Sequence, residues 1–110
     1  MNEMLTAYVI DSRHPGVSGV EHLQMLHTRS KLAEIENRLT AAEQQQLRAA
    51  DQALVAHAAE FLAELSRFAD LAEERRRLNI GQGQWWWYLD VLAVLPAYVI
   101  KQPEIESASP

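Results

Sequence analysis

Leu47, Leu54, Phe61 and Phe68 recur at intervals of seven, and Ala50, Ala58, Leu65 and Ala72 fill the positions between them. Apolar residues at this spacing line one side of an α-helix in the manner of a coiled-coil seam. A second line, Val55, Leu62 and Ala69, runs beside the first. Unbroken from Ala41 to about Asn79, such a helix would exceed roughly 50 Å, which is long for a small globule. The spacing therefore predicts either a bend near Ser66 to Asp70 or a helix shared between copies.

The residues before the seam set its direction. Thr40 and Glu43 have capping-box spacing, as do Ser18 and Glu21, so a first helix starts near Ser18 and a second near Thr40 with almost no loop between them. So short a connection predicts an antiparallel helical hairpin. On the first helix Leu23, Leu26, Ser30 and Ala33 form one stripe, with Met25, Leu32, Ile35 and Leu39 beside it. Gly16-Val17-Ser18-Gly19 could offer free N–H groups to an anion. An ordinary capped helix start accounts for it as well, and no lysine follows as in a P-loop.

Both ends of the chain are less regular. Arg13-His14-Pro15-Gly16 reads as a turn. Residues 1–16 suit either a short strand, through Thr6-Ala7-Tyr8-Val9-Ile10, or a short helix, with Asn2 ahead of Met4, Leu5, Tyr8 and Val9. The words Ala7-Tyr8-Val9-Ile10 and Ala97-Tyr98-Val99-Ile100 are identical, so the termini could pair as a minimal two-stranded ribbon, although short matches arise easily by chance in an Ala-rich chain. Gly81-Gln82-Gly83 is expected to close the second helix with a C-cap glycine. A third helix should run from about Gln84 to Leu95, where Pro96 stops it. Residues 101–110 are polar, contain two prolines and are expected to be disordered. The fold expected is all-α: a long antiparallel hairpin with a short Trp-rich third helix, forming one domain over residues 1–100.

All three tryptophans stand together in Trp85-Trp86-Trp87-Tyr88. Successive helical residues turn by about 100°, so three adjacent indoles point in three directions and one core cannot cover them all. Trp85, Tyr88, Leu89, Leu92 and Leu95 share a face that Trp87, Val91 and Val94 widen, so Trp85 and Trp87 are expected in the core. Trp86 falls with Asp90 and Ala93 on the remaining side. Trp and Tyr are favoured interface anchors, so the set Trp85, Trp86, Trp87, Tyr88 and Asp90 is the expected partner contact, with Trp86 and Asp90 at its centre. An arginine from the end of the second helix is the natural mate for Asp90 if that residue is covered.

Composition excludes some classes. With 10 Lys and Arg against 15 Asp and Glu the net charge is −5, the wrong sign for coating nucleic acid or anionic lipid. The absence of cysteine removes disulfides and thiolate chemistry and suits a reducing, cytoplasmic setting. No apolar run reaches the roughly 18 to 20 residues of a transmembrane helix. Arg75-Arg76-Arg77 is the basic run, and opposition to the helix dipole plus an ion pair from Glu73 to Arg77 explains it without nucleic acid.

The leading expectation is a small non-enzymatic interaction protein, an adaptor, regulator or assembly factor, that associates with itself or another protein through apolar helix faces and uses no cofactor. One alternative is a metal-binding protein or metal-dependent enzyme. Folding the hairpin at Leu39-Thr40 brings His22 near His57 and Glu60, a conceivable His-His-Glu set, although no H-x-x-x-H or E-x-x-H spacing supports it. The acids Glu60, Glu64, Asp70, Glu73 and Glu74 resemble the clusters that helical nucleotide pyrophosphohydrolases use to hold Mg²⁺. In this chain Phe61, Leu65 and Phe68 claim the inward face, so most of these acids should meet water. A further alternative is a nucleic-acid regulator such as an antitoxin.

Overall fold

A computed structural model describes residues 2–95, and every regular element in that range is helical. The all-α expectation holds. The ambiguous N-terminus is the helix α1, Glu3–Asp11. Asn2 decides it, because its side-chain oxygen accepts from the amides of Met4 and Leu5 at 2.8 and 3.2 Å and so occupies two of the donors that a helix start leaves free. Ala7–Ile10 lie inside α1 and cannot supply a strand, which rules out the ribbon from this side. Residues 97–100, the other half of that pairing, and the tail 101–110 lie outside the described residues.

Helix α2, Gly19–Ile35, starts where the Ser18 signal puts it, with the hydroxyl accepting from the Glu21 amide at 3.4 Å. A 3₁₀ turn, Glu36–Arg38, follows. Helix α3, Ala41–Ala56, opens on the full capping box: Glu43 N–H donates to Thr40 Oγ1 at 3.1 Å and Thr40 N–H to the Glu43 carboxylate at 2.9 Å. The antiparallel hairpin expected from so short a connection is not confirmed, because α2 packs mainly on α1 and on the later helix Ala58–Ser66, and α3 packs mainly on α1.

The second arm is not one long helix. It breaks at His57, which leaves helical geometry at φ −111°, and resumes as α4, Ala58–Ser66. It breaks again over 67–70, where a bend was expected, before α5, Leu71–Leu78. Neither proline nor glycine stands at His57, so the first break has no local cause. It coincides with a change of neighbour: α3 packs on α1, whereas α4 packs on α2 and on the short helix Leu89–Leu92. The seam is legible up to that limit. Leu47, Ala50, Leu54, Ala58, Phe61 and Leu65 are all buried, but Phe68 falls beyond the end of α4 and is exposed.

Asp70 caps α5 by accepting from the amides of Ala72 and Glu73 at 3.0 and 3.2 Å. Its far end is closed by Asn79 rather than by the glycines that follow. Asn79 takes the left-handed conformation, φ 56° and ψ 48°, which lets the Ile80 amide reach back to the Arg75 carbonyl at 2.9 Å. No glycine has positive φ among the described residues.

The expected third helix from Gln84 to Leu95 does not form as one element. Trp85–Trp87 is a 3₁₀ turn, with Trp87 N–H donating to Gln84 and Tyr88 N–H to Trp85, and only the short α6, Leu89–Leu92, is α-helical. Leu89 and Trp87 enter a single core with Leu5, Tyr8, Met25, Leu26, Leu32, Leu54 and Phe61.

Candidate functional site

Ser30 is the residue on which the tryptophan run closes. Its Oγ accepts from the indole N–H of Trp86 and from that of Trp87, each at 2.9 Å, and donates to the side-chain oxygen of Gln84 at 3.1 Å. Two adjacent indoles can reach one hydroxyl because the turn that carries them is 3₁₀ and does not follow α-helical spacing. Trp86 is therefore 3% exposed and Trp87 fully buried, while Trp85 stays half-buried with its ring edge-to-face against Trp86 at 5.6 Å. This reverses the expected order. Trp86, placed on the outer side by helical arithmetic, is core, and Trp85, assigned to the core, keeps part of its ring in solvent.

Beneath the indoles lies a charge network that sequence reasoning did not anticipate. Arg29 is 4% exposed, with its guanidinium carbon 4.4 Å from the Trp86 ring centre and 6.0 Å from the rings of Tyr8 and Trp85. Its Nε and Nη2 donate to the two oxygens of Asp51 at 2.9 and 3.1 Å, and Nη2 also reaches Glu36 at 3.3 Å. Tyr8 donates its hydroxyl to Asp51 Oδ1 at 2.6 Å. Nη1 of Arg29 is buried without a hydrogen-bond partner among the described residues, so the surrounding ring faces are what the cation has in place of water. Burial, and then Asp51, push the Tyr8 hydroxyl well above its usual range, so it remains a donor. Burial also raises the Asp51 carboxyl, opposed by the bonds from Arg29 and Tyr8. A signal for Arg29 was present: it stands four residues after Met25 and three before Leu32, in the middle of the stripe that α2 buries.

A second arginine clamps the other side of the run. Arg75 of α5 grips Asp90 through both nitrogens, at 2.7 and 3.1 Å, and donates to the Trp87 carbonyl at 2.9 Å, with its guanidinium 4.4 Å from the Tyr88 ring centre. This is the arginine partner expected for Asp90. The clamp holds the Asp90 carboxyl below the usual carboxylate range and raises Arg75. Arg76 pairs with Glu73, and Arg77 with Glu74 at 2.9 Å, so the pairs are three residues apart rather than the expected Glu73 to Arg77. All three arginines of the basic run thus carry an acidic partner.

His22 and His57 have different partners. His22 is buried, with Nε2 at 2.9 Å from the Pro15 carbonyl and its ring edge-on to Phe61 at 4.5 Å. His57 is partly exposed and pairs with Glu60 at 3.1 Å. No group of three or more His, Asp or Glu among the described residues is arranged to hold a metal ion. No helix there is long and apolar enough to cross a membrane.

Large apolar side chains meet solvent elsewhere. Phe68, beyond the end of α4, is 53% exposed, and Val91, Val94 and Leu95 follow the α6 residue Asp90, with Val94 at 77%. Phe68, Leu62, Leu71 and Asp90 line a shallow groove of about 530 Å³ at the corner between α4 and α5. Gly19 abuts this corner: a Cβ on it would stand 3.1 Å from Phe68 Cβ, and exposed Val17 and Val20 flank it in the chain. The geometry thus separates two regions: a largely buried polar hub under the tryptophans, and an open corner of mixed polar and apolar lining. Comparison with protein-family models, with characterised proteins and with solved structures gives no match.

Proposed function

We propose that the chain is a small non-enzymatic protein–protein interaction module, an adaptor, regulator or assembly factor, that works as a homodimer or higher oligomer through apolar helix faces. The observation that carries this reading is the exposure of Phe68, Val91, Val94 and Leu95, side chains whose burial against a partner removes apolar area from water. The contact surface is then the corner where α4 meets α5 and α6, with the tryptophan run as its inner support. Trp86 and Asp90 act through what they hold in place, since the first is buried and the second is engaged by Arg75. The absence of cysteine suits work in the reducing cytoplasm.

Light scattering across a concentration series tests the reading. The monomer mass is 12.5 kDa, and the mass is expected to rise above it with concentration. Val94→Asp should weaken that rise. A chain that stays at the monomer mass at the highest soluble concentration ends the self-association reading.

A further inference from the structure

The break at His57 sets α4 apart from α1, α2, α3 and α5. Those four begin on side-chain caps from Asn2, Ser18, Thr40 and Asp70, whereas α4 begins at His57 with none. The apolar stripe also ignores the break. Leu47, Ala50, Leu54, Ala58, Phe61 and Leu65 step by three or four straight through it, so a continuous helix over 41–66 would keep all six on one side. Ending and restarting a helix also leaves amides and carbonyls without the bonds that a continuous ladder supplies. Local chemistry therefore favours the straight form, and the seating of α4 on α2 is what bends it.

Residues 58–95 meet residues 2–57 chiefly through α2. Gly19 lets the Glu64 carbonyl approach, His22 lies edge-on to Phe61 at 4.5 Å, and Ser30 accepts from Trp86 and Trp87. The face that α2 offers is the same whether α4 reaches it within one chain or from another copy. A second copy is thus the partner whose fit the fold already contains, and exchange of an identical element is an accessible route to a dimer. We propose that the protein dimerises by such an exchange: His57 joins the helix, 41–66 straightens, and residues 58–95 of each copy seat on α2 of the other. Every contact across α2 is remade, and the helix gains the bonds lost at the break. Opposing this is the freedom that two chains lose on association. The inference rests on the self-association reading and names its mechanism, without needing the exposed corner.

Sedimentation of the full chain and of Ala59→Pro, with helicity checked by circular dichroism, tests it. Wild type is expected to dimerise. Ala59 is exposed and second in α4, so proline there suits the first turn of the bent form but falls in the interior of the straight one. It should raise the dissociation constant at least about a hundredfold, the factor that an interior proline implies. The exchange itself is read as a distance. Because the native chain has no cysteine, Gln24→Cys with Ala63→Cys carries two spin labels at exposed positions, one on α2 and one on α4. With labelled chain diluted in excess unlabelled chain, the separation within one chain should be longer in the dimer fraction than in the monomer fraction. An Ala59→Pro chain that dimerises like wild type, or a dimer that keeps the monomer's intrachain distance, overturns the exchange and leaves self-association standing. A wild-type chain that is monomeric throughout overturns both.

Discussion

A single hydroxyl, Ser30 Oγ, satisfies two buried indole donors. Removing it leaves the N–H groups of two buried indoles without that acceptor, and an unsatisfied buried donor costs about 1–3 kcal/mol. Ser30→Ala is therefore expected to lower the unfolding free energy by about 2 kcal/mol or more in urea, with an altered tryptophan emission spectrum. A loss of less than about 0.5 kcal/mol, the range of ordinary surface changes, would show that the indoles find other partners. Ser30 was placed on an apolar stripe from its spacing alone. Its role as acceptor was hidden because its donors stand more than fifty residues away.

The Arg29 network follows a different logic. A buried ion pair contributes little relative to an apolar substitute, but breaking it from one side strands a charge, at a cost of about 3–5 kcal/mol. Asp51→Ala leaves the Arg29 cation with Glu36, at 3.3 Å and half-exposed, as its remaining acidic contact. It should destabilise strongly, whereas Arg29→Met combined with Asp51→Ala should recover much of the loss. A double variant as unstable as the sum of the two singles would mean that the pair is not coupled.

At the scale of elements, helix placement was legible where local chemistry decides it. The caps at Ser18, Thr40 and Asp70 and the seam from Leu47 to Leu65 all act within one or two turns. The break at His57 was not legible, because no residue there opposes a helix and the change of neighbour from α1 to α2 is a tertiary event. Where α2 crosses the end of α4, Gly19 is the contact. A Cβ there would stand 2.6 Å from the Glu64 carbonyl oxygen, a backbone atom that cannot move without its helix. Alanine is ordinarily the better helix former. Gly19→Ala should nevertheless destabilise in thermal unfolding, since the two helices must separate. A rise in Tm would show that α2 and α4 adjust freely at this crossing.

At the scale of the whole molecule, stability should depend on pH through its clamps. Asp90 has a lowered carboxyl in the fold, set by its bonds to Arg75. Unfolded, an aspartate titrates near about 3.9. The stabilisation is thus complete above that value and is lost as pH falls through the lower, folded one. Asp51 and Asp11 have the opposite sign, since burial raises both and the fold then favours their protonated forms. Unfolding free energy measured from pH 5 downward should fall less steeply in Asp90→Asn than in wild type. Equal slopes would remove the Arg75–Asp90 clamp from the account of acid stability.

The two halves of the molecule were not equally readable. Helical class, helix starts and most of the seam come from the sequence by itself, because caps act over three or four residues and apolar spacing follows from the helical period. The arginine mate of Asp90 was also within reach, since a covered carboxylate demands a cation. Which indoles are buried was decided only by the tertiary structure. The angular arithmetic assumed an α-helix over Trp85–Trp87, whereas that stretch is a 3₁₀ turn whose Trp86 and Trp87 indoles both donate to Ser30 Oγ and so turn inward together, leaving Trp85 at the edge. The exposure of Phe68 was settled the same way. Its place in the seven-residue series promised burial, but α4 ends before reaching it, and a side chain beyond the last turn no longer shares the face that its spacing implies.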